Sequence, residues 1–432
     1  MSATGGGPVH VSAVGGTRTV PAPDDIASDY LALALRLDQR IPGLVDGYLG
    51  PANLKAMVDM EQHRAPARLR EDAIDLRARV ATDVADADRR AWLDAQLVAM
   101  EAHAAELAGD GLPYLEHVER CMGTAPRRYP DARFDAARDA VDALLPGDGS
   151  LATRLEAHDA ALTVAVDRLP AAAAWLVARF REQARDVVGI PDDEDLVVRL
   201  VSDKPWGGYN WYDGGRRSRV DINTDLPVRA PGLVHLVAHE TYPGHHLEHA
   251  WKEAELVDRL GRLEASVLLI NTPESMVSEG LADAGSRFVA PDADLVDLLV
   301  DLFGVAGLPI AADPAKSRAM AELSAALAGP RRVLPAARGN AALMRHAEGL
   351  PAKDVLAYLR DVAAYDASSA AKRMEFIEHP LWRTYVFVYA DGEAMVGEWL
   401  DAVPQAEQPA RFGRLLREQL TPATILAASA PG

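Results

Sequence analysis

The 432-residue sequence predicts a mainly α-helical fold with one small β-sheet. Three observations predict it. Ala and Leu, both strong helix formers, are spread among Arg, Asp and Glu at helical spacing. Pro and Gly interrupt these runs at helix-length intervals. One region, residues 195–224, changes texture: β-branched residues alternate with polar ones between glycine pairs.

The first 23 residues are rich in Gly, Ser, Thr and Pro and lack a basic start followed by an apolar core. They read as a disordered tail in which His10 is idle. From Asp24 the pattern is helical, with Asp24 or Asp25 as cap and Tyr30, Leu31, Leu33, Ala34 and Leu37 at helical spacing. A loop over 46–51 follows. Two helices span 66–107, one spans 114–122, one 131–145, and two more lie within 151–188, the second opening at Leu169-Pro170. Residues 24–190 thus form an N-terminal helical half. Residues 191–432 form the second half of one continuous fold. It begins with the small sheet, whose edge strand could pair with an extended peptide. A histidine-rich helix comes next, and 254–270 is expected to continue helical. Thr272-Pro273 caps and opens a helix over 274–289. Further helices are expected over 295–305, 316–327, 340–347, 352–364 and 409–420.

Composition narrows the function. A formal net charge of −19 argues against nucleic-acid and anionic-membrane partners, which need a basic face. The single cysteine, Cys121, can form no internal disulfide and reads as a buried bystander thiol. No 18-residue apolar run exists, so no membrane span is expected. Together these point to a cytoplasmic protein. His63, His103, His117 and His158 stand alone on helices and read as structural or surface residues.

Chemistry concentrates at residues 231–251, PGLVHLVAHETYPGHHLEHAW, which hold five histidines. A hydrolytic zinc site needs three protein ligands, an open position for water and a nearby carboxylate. His239-Glu240 opens such a signature, but Pro243 stands where the second histidine belongs. His239 and His245 are six apart, about 120° out of line on a straight helix. Pro243 cannot continue the helix, because its ring collides with the carbonyl of residue 239, and Gly244 frees the backbone. A bulge over Thr241-Tyr242-Pro243 would return His245 to the face of His239. That pair is favoured. His235 with His239, His245 with His249, and His246 as second ligand remain open. The best third ligand is Glu279, early in a well-capped helix beside Gly280 and Ala282. Asp283, one turn on, could accept a ligand histidine's free N–H. Tyr385 and Tyr389, on an apolar segment, could donate to an oxyanion, ahead of His379 and Arg383.

His239 to His246 reads His-Glu-Thr-Tyr-Pro-Gly-His-His. In this it resembles a large bacterial family known as domain of unknown function eight-eight-five. Glu279-Gly280-Leu281-Ala282 is similar to that family's Glu-Gly-Trp-Ala, with Leu for Trp, and Tyr48-Leu49-Gly50-Pro51, residues 218–227 and, loosely, 389–392 look like family features. The family resembles helical zinc peptidases of the gluzincin type, which hold zinc in a groove between two helical halves. The resemblance implies His239, His245 and Glu279 as Zn2+ ligands, Glu240 as general base, Asp283 and His246 behind them, and a two-residue surplus over 241–244. The expected function is a zinc-dependent hydrolase, a metallopeptidase acting on a peptide or small amide substrate. The alternatives are a catalytically inactive binding protein of the same fold and a zinc hydrolase of a non-peptide amide or ester.

Overall fold

The computed structural model describes residues 24–204 and 206–429, so the tail over 1–23, with His10, lies outside the described residues. The protein is mainly α-helical, with two small sheets. No helix among the described residues is long and apolar enough to cross a membrane.

Asp24 starts the first helix, Asp25–Asp38, by accepting the Ala27 amide at 2.7 Å. Its buried face, including Tyr30, Leu31 and Leu37, packs with Leu69 and Val80 of helix Pro66–Asp83 and with Trp92 and Leu97 of helix Ala87–Ala108. Strand β1, Val45–Tyr48, lies where a loop was expected. Further along, the chain expected to be helical over 254–270 turns through a π-helical stretch, Glu253–Arg259, and a 3-10 turn, Leu263–Ser266. Gly261 breaks the helix at φ +68°. The three residues Val267–Leu269, a strand here labelled β5, then pair antiparallel with β1. A long-range partner overrides local helix preference there.

A second and larger core unites Phe180, Val237, Leu247, Leu281, Val396 and Phe412. It draws in Val118 of helix Tyr114–Met122 and Leu176 of helix Leu169–Val188. This core therefore runs across residue 190. Helices before that point pack directly on the histidine-bearing helices, because their apolar faces find partners there. Strands β2 (Asp195–Val201), β4 (Arg217–Asn223) and β3 (Gly208–Tyr212) stand in the order β2-β4-β3, the first pair parallel and the second antiparallel. The short terminal helix Pro422–Ala427 was not expected from the sequence.

Helix Pro273–Val289 is the axis of the second core, and it crosses helix Ala390–Asp401 backbone to backbone. A methyl group at Gly280 would lie 2.4 Å from the Gly392 carbonyl oxygen, and one at Gly392 would lie 2.6 Å from the Met276 oxygen. Only glycine fits both sides. Gly280→Ala should cost ~1–3 kcal/mol through forced separation of the helices. Gly304→Ala, whose added methyl meets nothing within 4 Å, should leave stability unchanged or higher. Thermal unfolding of the two variants checks this, and an unchanged midpoint for Gly280→Ala would refute the crossing.

Candidate metal centre

The histidine stretch forms two helices, Ala230–Glu240 and His245–Lys252. The expected bulge in one continuous helix is instead a break between two. Across it the Gly244 amide donates to the Ala238 carbonyl at 3.1 Å, and the Leu247 amide to the Thr241 carbonyl at 3.2 Å. Both bonds span six residues rather than four, so two residues are looped out and the hydrogen-bond ladder resumes beyond them. A side chain at position 244 is impossible, because its Cβ would fall 1.8 Å from the His239 carbonyl oxygen. The loop is fastened on two sides. The Tyr242 hydroxyl donates to Glu194. Pro243 lies against Gly285 so closely that a Cβ there would sit 2.9 Å from the proline ring.

This turn brings His239 and His245 together, with ring centroids 4.7 Å apart and planes at 90°. Glu279 meets both: its Oε2 lies 3.3 Å from His239 Nε2 and 3.8 Å from His245 Nε2. The ligand-type atoms of these three residues all fall within 4.8 Å of one another. The far nitrogens are tied down. His239 Nδ1 lies 2.9 Å from Asp283 Oδ1. His245 Nδ1 lies 3.5 Å from Glu248 Oε2 and 3.3 Å from Ser278 Oγ, whose hydroxyl donates to the same Glu248 oxygen at 2.5 Å. With Nδ1 of each ring directed to an acidic partner, both Nε2 atoms are turned toward Glu279.

The Tyr385 hydroxyl donates to Glu279 Oε1 at 2.8 Å, fixing the carboxylate. Its other oxygen, Oε2, is buried and has no hydrogen-bond partner. A buried carboxylate oxygen left unmatched is costly, and this one lies between two imidazole nitrogens. The donor set, two histidines and a glutamate, is one that suits zinc with a position left open for water. The residues present therefore fit the ion.

These groups are strongly coupled electrostatically. Burial opposes protonation of His239, yet Asp283 and Glu279 outweigh it and hold the ring well above the usual histidine range. For His245 burial is likewise outweighed, by Glu248 and Glu279, and the ring is raised to about 10. Burial acts against the Glu279 carboxylate, but the two histidines hold it well below its usual range.

Glu240 is buried beside this cluster. Its carboxylate makes no hydrogen bond or ion pair among the described residues. Burial pushes its carboxyl above the usual range; His239 and His245 pull it back, and Glu279 and Asp283 push with burial. Asn210 of β3 donates to the Glu240 main-chain oxygen at 2.7 Å and holds the helix end in place. Tyr389 stacks edge-on against Tyr385 at 5.8 Å, and its hydroxyl makes no hydrogen bond among the described residues. Tyr385, expected to share the oxyanion role, is committed to Glu279.

Other expectations need correction. His246 does not lie behind the cluster. It is fully buried on the opposite side, 2.9 Å from Glu194 Oε2 and 2.8 Å from Ser218 Oγ. Adjacent residues on a helix point about 100° apart, so His245 and His246 cannot share a target. His235 is exposed, lies 3.5 Å from Asp283 Oδ1 and has its ring 5.8 Å from that of His239, so these three form a second candidate group. Its pairing with His239 would leave Glu279 Oε2 unmatched. His249 stacks on His245 at 6.0 Å, and burial lowers it to about 3. Arg383 belongs elsewhere, to Glu106 and His117. His103, His117 and Cys121 also cluster. There Arg383 donates to His117 Nδ1 and His103 Nε2 lies 3.0 Å from the Asn271 carbonyl oxygen, while His117 Nε2 is buried without a hydrogen-bond partner. Sequence reasoning missed Glu248, Ser278 and Asn210. The i, i+3 spacing of His245 and Glu248 was the one available signal.

If His239 ligates zinc, Asp283→Asn should weaken zinc binding ~10–100-fold, because Asp283 bonds the far nitrogen of that ring. His246→Ala should lower thermal stability and leave zinc affinity unchanged. Competition against a chromophoric chelator measures both; equal zinc affinity in wild type and Asp283→Asn would remove Asp283 from the centre.

No known family profile and no curated protein matches the chain. Among solved structures it is similar to a "putative lipoprotein" from Colwellia psychrerythraea, at 14% identity and a TM-score of 0.49, covering 84% of this chain and 65% of that one. It is also similar to a "putative lipoprotein of unknown function" from Shewanella oneidensis, at 12% identity and a TM-score of 0.45, covering 93% and 76%. The chain thus spans about two thirds of the length of the first structure. These findings overturn the cytoplasmic location expected from the sequence: both similar structures are described as lipoproteins.

Proposed function

We propose that the chain is a zinc-dependent hydrolase that cleaves peptide bonds, with a gluzincin-like arrangement of its site and membership of the domain family named above. One observation carries this reading: the buried, unmatched Glu279 oxygen faces the Nε2 atoms of His239 and His245. Zinc, when bound, supplies a Lewis acid that polarises a carbonyl and brings the pKa of a water toward ~7.

The protein's own groups do the rest. Glu240 is next to His239 in sequence and buried, and its carboxylate is uncommitted. It takes the proton of the attacking water on a carboxylate oxygen and passes it to the leaving amine. Burial suits it to both steps, because a raised carboxyl pKa makes the base stronger and the proton easier to hold until the bond breaks. Asn210 keeps it in register through the main chain. Tyr389, with its hydroxyl free, donates to the oxyanion, while Tyr385 keeps Glu279 oriented. The tyrosine stays protonated through the cycle: burial first, and Glu279 next, push the Tyr389 hydroxyl well above its usual range.

The test is digestion of a peptide pool read by mass spectrometry, on zinc-loaded protein purified without a histidine tag. Glu240→Gln should bind zinc as the wild type does and lose at least ~10³-fold in turnover. Tyr389→Phe should lose ~10²-fold in kcat with KM little changed. Turnover retained by Glu240→Gln, or one zinc per chain with no cleavage of any peptide, would overturn the proposal.

A further inference from the structure

Beyond Tyr389 lies a pair of arginines that the chemistry above does not use. The Arg338 guanidinium stands over the Tyr389 ring, 5.3 Å from its centre. Arg373 stands over Tyr365 at 5.7 Å. Neither makes a salt bridge among the described residues. The other polar contact of Arg338 is its Nε donating to the Pro335 carbonyl at 3.0 Å. Carboxylates are not scarce in this chain, with 64 against 45 basic residues. Arg345, on the same helix as Arg338, pairs with Glu378 at 3.0 Å, and nearby Arg332 pairs with Glu393 at 3.7 Å.

Two features make this placement unfavourable. Arg373 lies close enough to feel the charge of Arg338: desolvation first, and Arg338 next, push its guanidinium below the usual arginine range. Both cations also lack a carboxylate partner, which neighbouring arginines have. Arrival of an anion relieves both. The place is continuous with the metal centre. Tyr389 touches Tyr385, and Tyr385 holds Glu279, so two aromatic rings in series separate Arg338 from the ligand carboxylate. An extended peptide at ~3.4 Å per residue covers such a span in a few residues.

We propose that Arg338, with Arg373 beside it, binds a carboxylate of the substrate and thereby sets which bond is presented to Glu240. This deepens the hydrolase reading and rests on it. A planar guanidinium accepts a carboxylate through two parallel hydrogen bonds, which fixes orientation as well as position. The carboxylate is either a peptide's terminal one or an acidic side chain, since the chemistry is common to both.

Three probes separate these sources: acetyl-Ala-Ala-Ala with a free carboxyl terminus, its C-terminal amide, and acetyl-Ala-Glu-Ala amide. Binding is measured by titration calorimetry on zinc-loaded Glu240→Gln protein, so that nothing is cleaved. At least one carboxylate probe should bind tenfold or more tighter than the uncharged amide. Arg338→Met and Arg373→Met should erase that preference while keeping zinc content and circular dichroism. Arg338→Lys should retain part of it, which guards against a merely structural effect. Preference for the free terminus assigns a terminal subsite, and preference for the glutamyl probe assigns a side-chain subsite. Equal binding of all three probes, or a preference that survives Arg338→Met, overturns the proposal. If the wild type cleaves no peptide yet the arginine-dependent preference stands, the hydrolase reading fails alone. If it cleaves peptides with no such preference, this inference fails alone.

Discussion

The whole site depends on how the backbone gets from Glu240 to His245. Two residues too many separate the histidines for a common helix face, and the chain disposes of them in one tight turn. The six-residue hydrogen bonds from Gly244 to Ala238 and from Leu247 to Thr241 keep the turn's backbone groups satisfied even though the helix is interrupted. The cost is a position where the chain folds back against its own carbonyl, and only glycine tolerates it. The turn is held from outside as well as from within. Tyr242 anchors it to Glu194, and Pro243 anchors it to Gly285 on the helix that carries Glu279. The element that aligns the two histidines is therefore packed directly against the element that brings the glutamate to them.

Charge is handled with the same economy. Each histidine gives its Nδ1 to a different acidic residue, Asp283 or Glu248, and turns its Nε2 to Glu279. Glu248 is in turn neutralised by Lys252 at 2.7 Å, and Lys252 by Glu274 at 2.6 Å. Buried carboxylates are tolerable only when matched in this way. Beside the cluster, Glu240 is uncommitted, and Glu279 Oε2 accepts no hydrogen bond, its neighbours being the two imidazole nitrogens at 3.3 and 3.8 Å. These are the two carboxylates that the proposed chemistry needs, one to move a proton and one to complete a ligand set.

Much of the helix layout was legible because its signals are local. Thr272-Pro273 opens the Glu279 helix, and Thr272 and Ser275 complete a capping box there. Tyr114 and Met122 mark helix ends that the proline and glycine punctuation also mark. What escaped was long-range. Val267–Leu269 becomes a strand because β1, more than two hundred residues earlier, offers it an edge. Packing across residue 190 is long-range in the same way: Phe180 and Leu176 look like parts of an N-terminal bundle until the motif helix is placed against them. At the site, His239, His245 and Glu279 could be nominated from spacing and capping. Asn210 could not, since nothing local ties a β3 amide to the carbonyl of Glu240.

The density of histidines in this stretch also has a geometric explanation. Only His239 and His245 turn to Glu279. His246, forced to the other side by helix geometry, bonds to Glu194, the same carboxylate that anchors Tyr242. The consecutive histidines thus act on opposite sides of one helix, one facing the cluster and the other fastening the turn that makes the cluster possible. Arg181 completes that fastening, at 2.5 Å from Glu194 Oε1. His235 and His249 lie one helical turn outward on either side. His249 stacks on His245, and His235 shares Asp283 with His239, so each flanks a cluster ring without entering the set. A motif that looks over-supplied with histidines is better understood as two that face Glu279 and others that support them. The proline-glycine pair that seems to damage it is what lets the two sets face in different directions.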